Sequence, residues 1–369
     1  MNHHKLRLTV PWESIELSAQ NQILRVLSVP ELECMAVMPD VSPGHDLCVG
    51  GVALLRGLIS PSFVGYDIGC GMCHINLRQN ARDIGLSRPK EREKFFTRLQ
   101  KTVPSGLGEG DGDVPVNFCS AGGEKTLNDR VNQTATRQLG SLGSGNHFLE
   151  LGENNRGEVG ITIHSGSRRP GYDIAEWYIR KANGSFIKLD CELGQAYWQD
   201  MSWAAEFALK NRRLMLEATL ELLGFDEEET DSYLGSMINE NHNHAVLREN
   251  SCVLHRKGAM SAEKDQMGVI PANQRDGVWV TKGLGNEEFL CSASHGAGRV
   301  MTRGTAAKKG SVELMQKMMK GIVCRTDKGV LDEAPWAYKK IDGVLAAQAG
   351  ILIEIVDHFK PMIVLKGGG

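Results

Sequence analysis

The sequence lacks several features that would place the protein in a specialised class. No eighteen consecutive apolar residues occur in its 369 residues, so no membrane-spanning helix is expected. Basic charge is not in excess, because 42 Lys and Arg oppose 45 Asp and Glu, and binding to a polyanion must come from a local patch. The Gly-Lys-Ser/Thr signature of a P-loop is also missing, which excludes that kind of nucleotide site.

Paired cysteines are missing as well. The nine cysteines stand singly along the chain, apart from Cys70 and Cys73, and no second pair follows those two. This pattern argues against a disulfide framework and against a structural zinc site. No apolar stretch follows Lys5 near the N-terminus, so no secretory signal is expected. Reduced thiols without a signal predict a cytoplasmic protein.

The residues that are present, 41% hydrophobic and 24% charged, predict a globular protein with a substantial core. Apolar residues recur at helical spacing and predict helices over residues 83–103, 196–223 and 341–359. The helices and strands follow no regular βαβ rhythm, and neither a repeat nor a linker divides the chain. The pattern therefore predicts a single α+β domain over residues 1–369.

Shorter apolar runs predict the strands. They lie at residues 159–164, 278–280, 288–292 and 362–365, with a strand–loop–strand unit over residues 63–77. Segments rich in Gly, Pro, Asp and Ser predict loops over residues 39–44 and 105–123.

Five short segments share one character: a side chain able to bind a metal or a phosphate stands in a turn rich in Gly, Ser or Asn. They are residues 67–72, 143–148, 163–168, 241–244 and 294–299. A lone histidine in such a turn is more often a satisfied core or surface residue, so only the combination is informative. A carboxylate, a thiol and several imidazoles suit Mn²⁺, Zn²⁺, Fe²⁺ or Co²⁺ better than Ca²⁺. Their wide separation along the chain indicates a catalytic site that the fold assembles.

These five segments, in this order, resemble the RtcB family of RNA ligases. The likeness includes Met38-Pro39-Asp40-Val41, residues 200–204, Asp332-Glu333-Ala334-Pro335 and the closing Val364-Leu365-Lys366-Gly367, and it covers nearly the whole chain from Val37 onward. The resemblance implies mixed sheets surrounded by helices, with a metal site at the centre. It also implies a ligase that joins RNA 3′-phosphate or 2′,3′-cyclic phosphate ends to 5′-hydroxyl ends, in RNA repair or tRNA splicing. Such an enzyme uses GTP and two Mn²⁺ ions.

The resemblance assigns roles residue by residue. By this likeness Asp67 and His147 bind one Mn²⁺. His164 and His242 bind the other, and Cys70 bridges the two ions. The resemblance also implies one nucleophile, seven positions around the bound guanylate and two arginines for RNA phosphates: His295; Asn146, Phe148, Glu150, Ala297, Gly298, Tyr338 and Lys366; Arg168 and Arg303. The substrate would be RNA with these ends, and an archease-like protein is a possible activating partner.

Two histidines, His242 and His244, could serve as the fourth segment's metal ligand. His244 lies two residues from His242, but the family's ligand is the histidine directly followed by asparagine, and this selects His242.

Residues 271–278 depart from the family, which carries Pro-Gly-Ser-Met-Gly there. Asn273 and Val278 replace serines that contact the nucleotide. Two lost hydrogen bonds of about 1 kcal/mol each predict an affinity some tens of fold weaker, unless Asn273 or Arg275 substitutes.

The residues leave two other functions open. A two-metal phosphoesterase or nuclease would use the same metal ligands but would need no nucleophilic histidine. An inactive RNA-binding relative would keep the metal site as a scaffold. The divergent residues 271–278, together with a chain shorter than many members, predict a divergent and shorter member of the family.

Overall fold

A computed structural model describes residues 3–106, 115–183 and 186–367. The α-helices, in chain order, are α1 Leu17–Leu27, α2 Pro61–Val64, α3 Pro89–Thr102, α4 Lys125–Gln138, α5 Arg168–Lys181, α6 Glu192–Leu223, α7 Glu227–Gly235, α8 Arg303–Lys309, α9 Val312–Met318 and α10 Ile341–Ala346. Short 3-10 helices lie at His3–Lys5, Trp12–Ser14, Glu249–Ser251, Glu287–Phe289, Lys328–Glu333 and Pro335–Ala337.

The strands, in chain order, are β1 Leu6–Leu8, β2 Leu32–His45, β3 Leu47–Arg56, β4 Leu58–Ile59, β5 Gly71–Asn80, β6 Phe148–Glu153, β7 Glu158–Ser165, β8 Ile187–Lys188, β9 Ile238–Asn241, β10 Asn243–Leu247, β11 Cys252–Lys257, β12 Ala259–Ser261, β13 Met267–Pro271, β14 Val278–Gly283, β15 Ser292–Ser294, β16 Val323–Cys324 and β17 Ile353–Leu365.

Two mixed sheets organise the molecule. The first has the order β1-β2-β3-β11-β10, and β1 is parallel to β2. The second has the order β13-β14-β17-β6-β7-β5-β9, with β16 added in parallel to β17. Strand β17 is long enough to serve two neighbours, since its first half pairs with β14 and its second half with β6. Two small two-stranded sheets, β12-β15 and β4-β8, complete the set in the described residues.

Helices cover both sheets and supply the core. On α6, Met215, Leu216 and Leu220 are buried against the larger sheet, in the same cluster as Ile161 and Ile163 of β7. The N-terminal half of α6, from Ala196 to Phe207, packs on α4 and α5 in a second cluster. Helix α1 closes the five-stranded sheet in a third. The predicted α+β class is therefore confirmed. In the described ranges, no helix is both long and apolar enough to cross a membrane.

Several predicted elements are confirmed. The helix predicted over residues 196–223 is the C-terminal 28 residues of α6, which begins at Glu192. The strand at residues 159–164 is β7, and residues 278–280 open β14. The helix predicted over residues 83–103 forms from Pro89, whose ring is well suited to the first helical position.

The prediction of a helix over residues 341–359 is wrong beyond Ala346. Helix α10 ends there, and a tight turn in which the Gly350 N–H donates to the Ile353 carbonyl at 2.8 Å leads into β17. The apolar residues do recur at helical spacing, but Ile355 and Val356 remain exposed. β-Branched side chains favour the strand that the larger sheet accommodates here.

Three smaller predictions are also corrected. Residues 288–292 are a 3-10 turn with Leu290 and Cys291 at positive φ, and the strand begins only at Ser292. The first half of the predicted unit at residues 63–77 is helix α2, and only its second half is a strand. Residues 39–44 lie within β2, where the register with β3 is irregular. Of the loop predicted at residues 105–123, residues 107–114 lie outside the described ranges.

Candidate metal and nucleotide site

The proposed metal ligands stand at the ends of adjoining strands. Asp67 and Cys70 precede β5, His147 precedes β6, and His164 lies near the end of β7. His242 occupies the junction between β9 and β10. Because β6, β7, β5 and β9 are consecutive neighbours in one antiparallel sheet, these ends meet at a single edge. The fold thus brings together residues that are far apart in sequence.

The five side chains form a chain of close donor atoms. Asp67 Oδ2 lies 3.0 Å from His147 Nε2, and Cys70 Sγ lies 3.4 Å from the same nitrogen. Cys70 Sγ is also 3.2 Å from His164 Nε2, which is 3.3 Å from His242 Nε2. They make up two groups of possible cation ligands, and Cys70 belongs to both. A shared thiolate between two cations is the arrangement that this geometry permits.

Hydrogen bonds on the far side of two rings fix which nitrogen faces the cluster. His147 Nδ1 donates to the Leu142 carbonyl at 3.0 Å, and His164 Nδ1 donates to the Asn146 carbonyl at 3.1 Å. A carbonyl can only accept, so each Nδ1 carries a proton, and each Nε2 is the nitrogen that faces the cluster. Such outer contacts orient metal-binding histidines in proteins generally.

The electrostatics of the cluster also suit a cation. Burial, together with the positive charges of neighbouring histidines, holds the pKa values of His164 and His242 well below the ordinary range. Burial and the adjacent Asp67 carboxylate raise the pKa of the Cys70 thiol well above its ordinary value. The imidazoles are therefore neutral at pH 7, while a thiolate at Cys70 needs a nearby cation to form. The donor set fits a divalent metal of intermediate softness.

Arg212 on α6 ties three of these strand ends to the helix. Its guanidinium is buried and donates to the carbonyls of Gly69 and Ser165, both at 2.9 Å. It also donates to the side-chain oxygens of Asn239 and Asn241, both at 2.7 Å. These acceptors lie next to Cys70, His164 and His242. The sequence reasoning assigned no role to Arg212, because nothing in a helical arginine reveals its partners.

The backbones of β5 and β9 also pack closely at the strand ends that carry Cys70 and His242. A side chain at Gly71 would collide with the carbonyl oxygen of Glu240 on the neighbouring strand. The absence of a Cβ there lets β9 approach β5, and the His242 N–H donates to the Cys70 carbonyl at 2.7 Å. Glycine at this position thus serves the spacing of two proposed ligands.

His295 lies beside this cluster and has a carboxylate partner. Its ring centre is 4.8 Å from that of His242. The Asp40 Oδ2 accepts from His295 Nδ1 at 2.6 Å and from the His295 backbone N–H at 3.2 Å. Because the carboxylate fixes the proton on Nδ1, the lone pair of Nε2 is available for attack. Asp40 is fully buried, and the sequence reasoning quoted its segment without giving it a role.

A cavity of about 330 Å³ connects the cluster, His295 and most of the residues assigned to the nucleotide. Of the assigned side chains, those that line it are Asp67, Cys70, Asn146, Phe148, Glu150, His164, His242, His295, Ala297, Gly298, Arg303, Tyr338 and Lys366. Arg168 is not among the lining residues. It packs behind the cluster with a φ of 58°, and its guanidinium donates to the Gly106 carbonyl at 3.2 Å.

Some of the residues that line the cavity form a charged group centred on Glu333. Arg299 Nη1 lies 2.9 Å and Arg303 Nε 3.3 Å from Glu333 Oε1, and the Tyr338 hydroxyl donates to Oε2. Lys366 Nζ is 3.7 Å from Oε2 and donates to the Gly145 carbonyl at 2.6 Å. Glu333 therefore holds in place two residues, Tyr338 and Lys366, that the family likeness assigns to the nucleotide.

Glu150 stands apart from this network. It is 2% exposed, and its Oε1 has no hydrogen-bond partner in the described part of the chain. Burial raises the pKa of Glu150 well above its ordinary value. A buried acceptor without a donor costs free energy, and a ligand that carries N–H groups would relieve this cost.

In the divergent turn at residues 272–277, Asn273 lines the cavity, whereas Arg275 does not. The Asn273 amide serves its own turn, since its Oδ1 accepts from Arg275 N at 2.9 Å and its Nδ2 donates to Asp276 at 2.7 Å. Arg275 is exposed and paired with Asp276, and it does not line the cavity. Val278 is buried in a hydrophobic cluster with Phe359.

The structure separates His242 from His244. His242 belongs to the cation-ligand cluster, whereas His244 lies on β10 near Arg256 and is absent from it. Burial and the charge of Arg256 lower the pKa of His244 to about 3. The geometry therefore favours His242 over His244, as the sequence reasoning did.

Fold and site together define an α+β protein with a buried, metal-capable centre that opens into a cavity beside a histidine. The family model described as tRNA-splicing ligase RtcB matches residues 22–121 and 116–367. The chain therefore belongs to the RtcB family. This confirms the resemblance on which the residue roles were based.

Individual relatives agree with the family model. The RNA-splicing ligase RtcB of Escherichia coli strain K12 is 32% identical over 392 residues, which cover 96% of this chain and 95% of the relative. The tRNA-splicing ligase RtcB of Thermococcus kodakarensis is 31% identical, with 90% and 87% covered. That of Mycobacterium tuberculosis is 28% identical over 441 residues, with 94% and 100% covered. These alignments are longer than the 369 residues of the chain, so the relatives carry insertions that it lacks.

Proposed function

We propose that this protein is a GTP- and Mn²⁺-dependent RNA ligase that joins 3′-phosphate or 2′,3′-cyclic phosphate ends to 5′-hydroxyl ends. One observation carries the proposal. Asp40 accepts from His295 Nδ1, which leaves Nε2 as the nitrogen that can react, and His295 lines the same cavity as the metal-capable cluster. A two-metal phosphoesterase with the same ligands would need no nucleophilic histidine.

The first chemical step falls to His295. Its Nε2 attacks the α-phosphorus of GTP, a phosphorus–nitrogen bond forms, and the bond to the pyrophosphate leaving group breaks. Asp40 stabilises the positive charge that develops on the ring, because its carboxylate accepts from Nδ1. The product is a histidine–guanylate whose phosphoramidate bond is reactive enough to pass the nucleotide on.

Asp67 and His147 would hold one Mn²⁺, His164 and His242 the other, and Cys70 both. When bound, the ions supply positive charge that stabilises the phosphoryl oxygens during transfer. The chain contributes the orientation of the ligands, through Arg212 and the backbone carbonyls that accept from the ring nitrogens. Borderline-soft donors favour manganese over magnesium or calcium.

Recognition of guanine falls to polar groups that line the cavity. Guanine presents N1–H and N2–H groups side by side, and the buried Glu150 carboxyl is an acceptor in need of donors. Lys366 and Tyr338, held by Glu333, are polar groups of the lining that can contact the base or ribose. Phe148 and Ala297 form an apolar part of the cavity wall. Asn146 and Gly298 also line the cavity and are the other residues assigned to the nucleotide.

The later steps use the RNA ends. An oxygen of the RNA 3′-phosphate attacks the guanylate phosphorus, and the His295 nitrogen leaves. The 5′-hydroxyl then attacks the activated 3′-phosphate and releases GMP, while a 2′,3′-cyclic end is first hydrolysed. Arg303, which lines the cavity, is the phosphate-binding arginine of this scheme. Arg168 acts from behind the cluster, where its charge lies near Asp67.

The test is transfer of label from α-³²P-GTP, and separately from α-³²P-ATP, to the metal-loaded protein, with His295→Ala as the control. The proposal expects acid-labile label from GTP that is absent in the variant. Label from ATP alone would overturn the guanine assignment. If neither nucleotide labels the protein, even with an archease-like activator present, the proposed mechanism is wrong and a phosphoesterase becomes the better account.

A further inference from the structure

The Lys339 side chain donates hydrogen bonds to the backbone on both sides of Asp40. Its Nζ donates to the Pro39 carbonyl at 3.2 Å and to the Val41 carbonyl at 2.7 Å. We propose that Lys339 is a positioning residue for His295, because it fixes the segment that presents the Asp40 carboxylate to the ring. This inference rests on the proposed function, in which His295 is the nucleophile.

The segment around Asp40 needs such a support. Asp40 lies in β2, but the register of β2 with β3 shifts between Val37 and Ser42, so the strand ladder does not fix the intervening residues. The carboxylate itself is held only through Oδ2, since Oδ1 has no hydrogen-bond partner among the residues described. Its aim toward His295 therefore depends on where the backbone stands. An ammonium with two carbonyl acceptors sets that position directly.

Lys339 also holds the loop that carries the nucleophile. Its backbone N–H donates to the Gly298 carbonyl at 2.9 Å, three residues beyond His295. Gly298 has a φ of 73°, and a side chain there would collide with the Asp40 carbonyl oxygen. One residue thus connects the Asp40 strand, through its side chain, to the His295 loop, through its backbone. None of its hydrogen bonds reaches the five proposed metal ligands.

This arrangement predicts an effect on rate rather than on binding. In Lys339→Met the aliphatic stem is kept and only the donor is lost, so Asp40 is free to shift relative to the ring. Misplacement of a catalytic pair by a fraction of an ångström to 1 Å costs about ten- to a hundredfold in rate. The half-saturating GTP concentration should change by less than about twofold, because the hydrogen bond of Glu333 with Tyr338 and its ion pair with Lys366 do not involve the Lys339 side chain.

The experiment measures label transfer from α-³²P-GTP to the full-length, Mn²⁺-loaded protein across GTP concentrations. Lys340→Met is the matched control, since Lys340 is the adjacent lysine and its side chain is exposed. Lys339→Met should lower the maximal rate at least about tenfold, and Lys340→Met should leave it unchanged. Equal Mn²⁺ binding by both variants establishes that the site is folded.

A double-variant comparison makes the mechanism testable. If Lys339 acts through Asp40, adding Lys339→Met to Asp40→Ala should lower the rate by less than about twofold further. Additive losses would overturn the inference, because they would show that Lys339 acts independently of the carboxylate. A raised half-saturating concentration with an unchanged maximal rate would also overturn it, in favour of nucleotide binding. Absence of label on the unaltered protein would instead remove the proposed function itself.

Discussion

At the scale of single residues, Glu150 is the group that would select guanine in the proposed function. It is buried on β6, and its Oε1 lacks a donor in the described ranges. We expect Glu150→Gln to weaken GTP affinity about ten- to a hundredfold, since a guanine N–H left without an acceptor in a buried site costs about 1–3 kcal/mol. The measurement is the GTP concentration that half-saturates labelling of the protein, with ATP in parallel.

The control for this prediction is Glu153→Gln. Glu153 lies on the same strand but does not line the cavity. Its substitution should leave both nucleotides unaffected. If Glu150→Gln lowers labelling by GTP and ATP equally, the carboxyl is needed for the pocket and does not select the base.

The sequence and its family resemblance identified the side chains that would bind a metal or react directly. The five proposed metal ligands and His295 were singled out from the sequence, and the fold brings them together. Asp40, Arg212, Glu333 and Lys339 escaped assignment for a common reason. Their roles are to hold other groups, and the partners of a buried charge depend on contacts across the fold. Only the three-dimensional arrangement reveals them.

At the scale of elements, α6 determines the geometry of the metal-capable edge through Arg212. We expect Arg212→Met to lower the affinity for Mn²⁺ about ten- to a hundredfold, because outer contacts orient the residues that bind metal. It should also lower the free energy of unfolding by about 3 kcal/mol, since two buried carbonyls and two half-buried amide oxygens lose their donor. Calorimetric titration with Mn²⁺ and denaturant unfolding of the metal-free protein measure the two effects.

Arg213→Met is the matched control on the same helix. Arg213 is 48% exposed at its side chain and pairs with Glu217 on the surface. Such a pair contributes about 0.5 kcal/mol or less. Wild-type Mn²⁺ affinity in Arg212→Met would show that the strand ends keep their positions without this guanidinium, and the role given to α6 would be wrong.

The elements also show why prediction from the sequence succeeded in one helix and failed in another. Helix α6 has a long apolar stripe, and two layers bury it, so local pattern and tertiary packing agree. Residues 341–359 have the same spacing, but after Ala346 the chain supplies the strand that joins β14 to β6. Pairing with two distant strands outweighed the local pattern, and a single sequence does not show which strands are available.

At the scale of the whole molecule, buried histidines should make the fold sensitive to acid. Burial lowers the pKa of His74 from 6.5 to about 4. The unfolded chain then binds more protons than the folded chain between these values, so stability falls as the pH falls through this window. We expect His74 to account for about 2 kcal/mol of lost stability between pH 7 and pH 5.

The test compares denaturant unfolding of the metal-free protein with that of His74→Gln at both pH values. The variant should lose less stability on acidification, by about the amount given above. Its stability at pH 7 can differ, because the Nδ1 contact with Thr162 at 2.8 Å is changed. Equal losses in the two proteins would mean that His74 titrates alike in the folded and unfolded chain.

The whole account rests on the claim that this cavity seals RNA through His295. The most direct measurement supplies one RNA ending in a 3′-phosphate and another beginning with a 5′-hydroxyl to the Mn²⁺-loaded protein, with and without GTP. The account predicts a joined product that requires GTP and is lost in His295→Ala. Joined RNA formed by His295→Ala, or formed without GTP by protein freed of bound nucleotide, would contradict it.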